Sequence, residues 1–361
     1  MLEFDLARDL NIYFGVNGSG KTSLLKILYS ALQNDVRHLR RVKFDEATVV
    51  LSHKPHGEPE EITRWISSKA LESIPPASQL INFPGPSGVV QVPVGMPQQG
   101  WRSEPAFNDG FPATYLPISR FVIENNNQFQ WNLQDPTPYS EANLDQQFVN
   151  QINQRWFGYQ NVMLNQIRQL QAQGMASILT TLFTRRQDAL DSEAPESAYA
   201  SVQQFFLRQS MPFSVSREEF ISSYADTQTA RVVGEIDDVE RRIEEIELPR
   251  IRLDELVSRF ITTNKRVSFS GPMPVVLVGD QQIGLDALSS GEKQILRLLI
   301  DALSMQGECM LIDEPEISLN IDWQRELIEA IQTVNPNVQL IIATHAPEIM
   351  AKVADGNINK I

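Results

Sequence analysis

Short runs of hydrophobic residues, each bounded by small or polar residues, predict strands at both ends of the chain. Leu10–Phe14 is such a run near the start, and residues 309–312 and 340–343 are two more near the end. Apolar runs of this length are typical of strands that are buried on both faces of a sheet. Residues 23–29 have the spacing of an amphipathic helix, so the pattern favours an α/β protein.

The middle of the chain shows two other patterns. Between residues 53 and 113 prolines and glycines recur so often that we expect an insertion of loops and short strands. Residues 141–265 are polar and helical in character, but the hydrophobic seam at 236–246 is brief and Pro249 interrupts it. We therefore expect short helices that pack on themselves or on a partner. The predicted domains are the N-terminal part of an α/β head at 1–140, a helical insertion at 141–265 and the C-terminal part of the head at 266–361.

A glycine-rich loop joins the first predicted strand to the first predicted helix. Residues 15–22 read GVNGSGKT, which matches the pattern GxxxxGK[ST] of phosphate-binding loops. The glycines allow backbone conformations that turn successive N–H groups toward an anion at the helix N-terminus. Lys21 would then reach the β- and γ-phosphates of a nucleotide, and the Thr22 hydroxyl would bind Mg²⁺. The alternative, a glycine turn that precedes a helix by chance, is weakened by the fit of both flanking elements.

Two acidic residues end the predicted strand at 309–312. The side chains of Asp313 and Glu314 point to opposite sides of a strand, so they need not share one role. Asp313 can reach the Mg²⁺ shell, and Glu314 can face the γ-phosphate and polarise the attacking water. The alternative is a pair of acidic turn residues, but a phosphate loop elsewhere in the chain requires such a partner.

Two further motifs lie on either side of this acidic pair. Residues 288–294 read LSSGEKQ and precede a predicted buried helix, so they could form a second anion site or an ordinary helix cap. His345 follows the predicted strand at 340–343, at the edge of the sheet where ligands of α/β proteins bind. It could hydrogen-bond the γ-phosphate or the water, although a lone histidine is more often structural.

Composition and charge exclude several classes of protein. The chain has 361 residues, of which 42% are hydrophobic, and its single cysteine excludes a disulfide framework. The apolar runs are too short to cross a bilayer and the start is no signal peptide, so we expect a cytoplasmic protein without a membrane partner. The net charge of −14 argues against general binding of nucleic acid. A local basic patch, with a solvated helix end as its alternative, comprises Arg37, Arg40, Arg41 and Lys43.

These four motifs in this order make the sequence similar to the ABC-type ATPase superfamily. Within it, the sequence resembles the SMC/RecF/OLD-like (AAA, antiphage-type) branch rather than transporter subunits, over about residues 9–51 and 286–361. The resemblance implies a P-loop NTPase head with a mixed sheet, interrupted by a helical insertion. The motifs that it implies are the Walker A loop at 15–22, the signature motif at 288–293, the Walker B strand at 311–314, the D-loop at 318–320 and the H-loop at 344–345.

The resemblance also implies ATP as the nucleotide, Mg²⁺ as the cofactor and hydrolysis of ATP to ADP and phosphate. By it, Thr22 and Asp313 bind the metal, and Lys21, Glu314 and His345 serve catalysis. Heads of this superfamily work as head-to-tail pairs, so a homodimer or higher oligomer would form around ATP and hydrolysis would release it. The residues implied to bind nucleotide, the last three of them across that interface, are Asn17, Gly18, Ser19, Gly20, Lys21, Thr22, Ser23, Ser289, Ser290 and Gly291.

The sequence departs from the family pattern at three points. The first strand of the family and the aromatic residue that often stacks on adenine have no obvious counterpart before Asn11. Gln128 and Gln130 are the candidates for the glutamine loop of the family. Ser290 occupies a position where many relatives carry glycine, and serine is frequent there in this branch.

The sequence segments DEPEISLNIDWQRELI and ATHAPEIM are similar to those of ATPases that accompany a separate nuclease in antiphage systems. No nuclease domain follows His345, so we expect a sensor or regulatory ATPase that acts with a separate effector protein. Two alternatives stay open: an SMC/RecF-like ATPase for DNA repair or maintenance, and a slow-turnover scaffold that sequesters an effector. A transporter subunit is disfavoured by the helical stretch between the motifs.

Overall fold

A computed structural model describes most of the chain. The described residues are 3–39, 41–53, 60–72, 80–85, 88–93, 101–107, 109–117, 141–183, 195–208, 212–224, 227–262, 264–305 and 309–361. Arg40 and the glutamine-loop candidates Gln128 and Gln130 lie outside these ranges.

The strands and helices alternate in the order that an α/β protein requires. The strands are β1 (Leu10–Phe14), β2 (Glu46–His53), β3 (Glu60–Ser67), β4 (Leu80–Gly85), β5 (Gly88–Pro93), β6 (Arg102–Glu104), β7 (Ala113–Leu116), β8 (Lys265–Ser268), β9 (Val275–Val278), β10 (Gln281–Ile283), β11 (Cys309–Asp313), β12 (Gln339–Thr344) and β13 (Ile358–Lys360). The helices are α1 (Lys21–Gln33), α2 (Ser68–Glu72), α3 (Glu141–Phe183), α4 (Pro195–Arg208), α5 (Arg217–Tyr224), α6 (Thr227–Phe260), α7 (Ser290–Ser304) and α8 (Ile321–Val334).

Contacts within the chain divide it into two compact units. The first comprises Met1–Pro138, Ser289–Ile295 and Met305–Ile361, and the second comprises Tyr139–Leu288 and Leu296–Ser304. The domain boundaries expected from the sequence stay a prediction.

The first unit is built on a five-stranded sheet with the order β13-β1-β12-β11-β7. Every neighbouring pair in it is parallel, and the antiparallel pairs among the described strands fall in separate sheets. The P-loop α/β class is confirmed, but the central sheet expected to be mixed is parallel over its described strands. Parallel neighbours need a crossover connection between them, and α8 supplies it between β11 and β12.

Helix α1 covers one face of this sheet. Its buried residues include Leu25, Leu28 and Tyr29, which share a core with Leu311 and Ile341 of the sheet. Every residue of β11 is buried, as expected for a strand with both faces covered. Each such aliphatic side chain contributes about 1.5 to 3 kcal/mol by leaving water.

A buried arginine of β3 holds the C-terminal end of α1. The guanidinium of Arg64, which is fully buried, donates hydrogen bonds to the carbonyls of Ala31, Leu32 and Asp109. It also lies 5.3 Å from the ring centre of Phe111. The last carbonyls of a helix lack partners within the helix and carry the negative end of its dipole, so this cation satisfies both needs.

The second unit is rich in helices that are longer than expected. The seam residues Ile236, Val239 and Ile243 are buried in a core with residues of α3, α4 and α5. Helix α6 runs through Pro249, where an interruption was predicted. The backbone hydrogen bond that proline loses costs about 3 kcal/mol, and the fully buried Leu253 and Ile243 on either side offset that cost.

Every helix within the described part of the chain is too short or too polar to pass through a lipid bilayer.

We predict that Arg64→Met lowers the free energy of unfolding by about 3 kcal/mol, because buried carbonyls would lose their donor. Urea unfolding of the variant and the native protein measures the difference. Arg102→Met is the matched control, since Arg102 is exposed on β6 of the same sheet as Arg64. An equal loss in the two variants would contradict the role given to Arg64.

Cys309 provides a second prediction. Burial in β11 raises the pKa of its thiol to about 12, so almost no thiolate is present at neutral pH. Iodoacetamide should therefore modify the native protein very slowly and the urea-unfolded protein rapidly, as followed by mass spectrometry. Fast modification of the native protein at pH 7 would show that β11 is accessible.

Candidate nucleotide-binding site

The carboxyl ends of β1, β12 and β11 lie side by side at one edge of the central sheet. Phe14 is opposite Thr344, and Asp313 is opposite Ala343. The phosphate loop, the acidic pair and His345 follow these strand ends directly in the sequence. Three sequence-predicted features therefore meet at the edge where ligands bind to parallel sheets.

The phosphate loop has the backbone geometry of an anion site. Gly18 has a φ of 84° and Gly20 a φ of 103°, in the left-handed region that favours glycine. Gly20 is also the N-cap of α1, and no side chain caps this helix. The first turn of α1 contains no acidic residue, so its N–H groups remain available to an external anion.

Lys21 is buried at the start of α1 and is only 4% exposed. Its ammonium donates to the carbonyls of Gly15 at 2.8 Å and Val16 at 3.0 Å. An ammonium has three protons to donate, and among the described residues no carboxylate forms a salt bridge with this one. Burial of a cation is costly without an anion, so the position of Lys21 fits a bound phosphate.

Asp313 provides one buried ligand for a metal ion. It is 2% exposed, and its Oδ2 accepts a hydrogen bond from the Tyr115 hydroxyl at 3.2 Å. Burial raises the pKa of Asp313 above its usual range, while hydrogen bonds from Thr22 and Tyr115 act in the opposite direction. Within the described ranges its Oδ1 has no hydrogen-bond partner.

These two neighbours, Thr22 and Asp313, fit Mg²⁺. Among the described residues no cluster of three or more His, Cys, Asp or Glu side chains could hold a metal by itself. Mg²⁺ commonly takes one or two protein oxygens and completes its shell with phosphate and water. A hydroxyl and a carboxylate oxygen without a partner are the donors that such a site needs.

Glu314 differs from its neighbour in exposure and backbone. Its φ is 49°, an uncommon value for a residue other than glycine, and its N–H donates to the Ala343 carbonyl at 2.8 Å. Its side chain is 15% exposed and Oε1 lies 3.7 Å from Nδ1 of His345. Glu314 therefore reaches solvent where Asp313 does not, and backbone strain of this kind is frequent at functional sites.

The sequence analysis missed a third carboxylate, Glu316. Its Oε1 accepts hydrogen bonds from the Thr344 hydroxyl at 2.7 Å and the His345 N–H at 2.9 Å, and lies 3.0 Å from Nδ1 of His345. The repetition of glutamate on both sides of Pro315 in DEPE is the signal that could have indicated it.

A cavity of about 680 Å³ adjoins the phosphate loop. Lys360, at the end of β13, brings a second cation to it and was also missed, because no motif includes it. The cavity combines apolar walls with a few polar groups, as small-molecule sites do. Its lining residues are Phe14, Gly15, Val16, Asn17, His345, Lys360 and Ile361.

The signature residues have other partners. The Ser289 N–H donates to Glu292 at 2.6 Å, and the Glu292 N–H donates to the Ser289 hydroxyl at 3.3 Å, which forms a capping box for α7. A Cβ on Gly291 would lie 2.6 Å from the Ser318 carbonyl, so only glycine fits there. Among the described contacts of Ser289 and Gly291, none goes to the phosphate loop. Their contact with a nucleotide of a second copy, and that of Ser290, stays a prediction.

Comparison with known proteins finds a family model and several relatives that match parts of the chain. A family model described as "AAA domain, putative AbiEii toxin, Type IV TA system" matches residues 187–351. "Retron Vc95 probable ATPase" of Vibrio cholerae serotype O1 biovar El Tor is 25% identical over 125 residues, which are 30% of this chain and 24% of that protein. "Retron Ec83 probable ATPase" of Escherichia coli is 31% identical over 84 residues, 20% of this chain and 16% of that protein. These partial matches support the AAA-type, SMC/RecF/OLD-like branch of ATPases that the sequence motifs resemble.

Solved structures of Smc heads are also similar to this chain. The Smc head domain with an extended coiled coil, bound to the C-terminal domain of ScpA and derived from Pyrococcus furiosus, covers 98% of this chain and 87% of its own, with 12% identity and a TM-score of 0.37. The SmcHead bound to the C-winged helix domain of ScpA gives 13% identity and a TM-score of 0.40. The two retron relatives are matched over less than a quarter of their own length.

The Tyr115 hydroxyl provides a test of the candidate metal site. We predict that Tyr115→Phe weakens the binding of Mg²⁺ together with nucleotide about tenfold, because outer hydrogen bonds orient a metal-binding carboxylate. Titration of Mg²⁺ against a fluorescent ATP analogue measures this. Tyr29→Phe is the control, since the Tyr29 ring lies 5.6 Å from that of Tyr115 in the same core. Equal affinities of the native protein and the Tyr115→Phe variant for Mg²⁺ would contradict the role of Asp313 as a metal ligand oriented by Tyr115.

Proposed function

We propose that this ATPase binds Mg·ATP at the edge of the central sheet and hydrolyses it to ADP and phosphate. The observation that carries the proposal is the meeting of complementary groups at that edge. Lys21 is a buried cation without a carboxylate partner, and Asp313 has a buried oxygen without a hydrogen-bond partner among the described residues. Bound phosphate and Mg²⁺ would satisfy both.

Each residue has a distinct role in this proposal. The N–H groups at the start of α1 and the Lys21 ammonium hold the phosphates, while Thr22 and Asp313 hold the metal. Mg²⁺, when bound, neutralises charge on the phosphates. The partly exposed Glu314 orients and polarises the attacking water, and His345 hydrogen-bonds the γ-phosphate or that water. A charge pair at 4 Å near a protein surface is worth about 4 kcal/mol, so loss of Lys21 should be severe.

Assembly through shared sites is the second part of the proposal. In it, Ser289, Ser290 and Gly291 at the start of α7 close over the nucleotide of a second copy. A γ-phosphate that is bound by two copies favours the assembled state over the separated one, which is the difference in affinity that a switch needs. Support comes from the sequence motif.

The biological role that we propose is that of a sensor or regulatory ATPase in an antiphage complex with a separate effector, such as a nuclease. Support comes from the retron names of two relatives, although the matched stretches are local. A scaffold that holds an effector and rarely hydrolyses ATP is the alternative, and a steady-state rate near zero would favour it. Stimulation of hydrolysis by DNA would favour a role in DNA repair or maintenance, for which the charge of −14 gives no support.

We predict that the particle formed by the Glu314→Gln variant at least doubles in mass on addition of Mg·ATP, because an unhydrolysed γ-phosphate would hold two copies together. Light scattering measures the mass, and Lys21→Ala should show no increase because it lacks the buried cation. Lys21→Ala should also lower steady-state hydrolysis on the order of a hundredfold or more.

Glu329→Gln is the matched control for this experiment, since Glu329 is an exposed carboxylate on α8 that forms a salt bridge with Lys352. It should behave as the native protein does. If nucleotide changed the mass of none of the variants, assembly around ATP would be wrong, whereas the hydrolysis assay tests the nucleotide site separately.

A further inference from the structure

Glu316 is a buried carboxylate in the loop between β11 and α8. Its side chain is 5% exposed, and it does not line the cavity next to the phosphate loop. One oxygen, Oε1, receives every hydrogen bond of the group that is found among the described residues, and Oε2 has no partner there. A buried carboxylate is costly unless donors surround it, so these contacts must hold the residues that supply them.

The donors come from one short segment at the end of β12. The Thr344 hydroxyl, the His345 N–H and the His345 ring all approach the same oxygen, at 2.7, 2.9 and 3.0 Å respectively. Both the backbone and the ring of His345 are therefore fixed to the loop that follows β11. Glu314 at 3.7 Å is the other carboxylate near Nδ1 of His345.

A carboxylate can only accept a hydrogen bond, so the nitrogen that faces it must carry the proton. Since Nδ1 of His345 lies 3.0 Å from Oε1 of Glu316, this contact favours the proton on Nδ1 in a neutral ring, and Nε2 is left for other partners. His345 is 42% exposed and lines the cavity beside the phosphate loop. The contact thus determines which nitrogen of His345 can serve a ligand in that cavity.

We propose that Glu316 is a positioning residue for ATP hydrolysis, which it serves by holding the ring of His345 and its proton on Nδ1. This inference rests on the proposed function. Glu316 touches no reacting atom, since it is buried away from the cavity; it acts through His345. It also ties His345 to the loop that carries Glu314, so that the two groups keep a constant separation.

The kinetic test uses Glu316→Ala, Glu316→Gln and His345→Ala. We expect Glu316→Ala to lower kcat about 10- to 100-fold with KM for ATP changed by less than about threefold, as for loss of an orienting hydrogen bond. Glu316→Gln keeps an oxygen that can accept from Nδ1 and should restore at least part of the rate. In the His345→Ala background, Glu316→Ala should cause no further loss. Full additivity of the two losses, or an unchanged kcat in Glu316→Ala, overturns the proposal.

The second test does not depend on activity. The sequence contains four histidines, and comparison with His345→Ala identifies the imidazole ¹⁵N signals of His345. We expect a proton on Nδ1 in the native protein and its loss or exchange with the Nε2 form in Glu316→Ala. Glu348→Ala, which removes a carboxylate that binds Arg325, is the control and should leave these signals unchanged. An Nε2-protonated ring in the native protein overturns the proposal.

The two tests separate this inference from the proposed function. If the native protein hydrolysed no ATP but had the expected Nδ1 proton, the proposed function would be wrong. The conclusion that Glu316 fixes the ring of His345 would still be supported. If Glu316→Ala does not fold, Glu316→Gln replaces it in the spectra, because a neutral acceptor must shift the Nδ1 proton signal to higher field. An unshifted signal in that variant overturns the proposal.

Discussion

The parallel pairing of β1, β12 and β11 is the constraint on which the rest of the site depends. Hydrogen bonds continue past the strand ends, from the Gly15 N–H to the Thr344 carbonyl at 3.4 Å and from the Glu314 N–H to the Ala343 carbonyl at 2.8 Å. The loops are therefore extensions of the sheet. A shift of one strand by one residue would displace its functional groups by about 3.3 Å and turn them to the other face. The buried apolar runs on both faces oppose such a shift.

The first unit buries four ionisable side chains, and they differ in the groups that they contact. The terminal nitrogens of Arg64 donate to backbone carbonyls, and Oε1 of Glu316 accepts from donors at the end of β12, while Arg64 Nε and Glu316 Oε2 have no hydrogen-bond partner among the described residues. Lys21 and Asp313 are only partly satisfied by the described residues. The contacts of Arg64 and Glu316 link separate elements of the first unit, whereas Lys21 and Asp313 are placed for the phosphate and the metal ion that we propose as their ligands. Such preorganised groups favour binding because little rearrangement is needed when the ligand arrives.

Much of the site could be predicted from the sequence because its motifs are local. The loop at 15–22, the pair Asp313 and Glu314, and the strand before His345 each have a pattern that is complete within a few residues. The roles of Arg64 and Glu316 could not be predicted, because their partners are distant in sequence and only the packed fold brings them together. The continuation of α6 through Pro249 was missed for the same reason, since tertiary packing overrides local propensity. The family resemblance implied a mixed sheet, and the parallel pairing could not be read from the residues because strand direction depends on crossovers that a single sequence does not display.

The order of the strands has a consequence for the synthesis of the chain. β1 pairs only with β12 and β13 among the described strands. Leu10 therefore cannot pair with Leu340 until nearly the whole chain has been synthesised. The helices of the second unit find their core partners within a much shorter span of sequence. Since non-local pairing is slow and domains form as their residues appear, the helical unit can fold first while the N-terminal strand stays exposed. The nucleotide site is thus among the last features of the nascent protein to form, and an apolar strand without partners must be shielded until then.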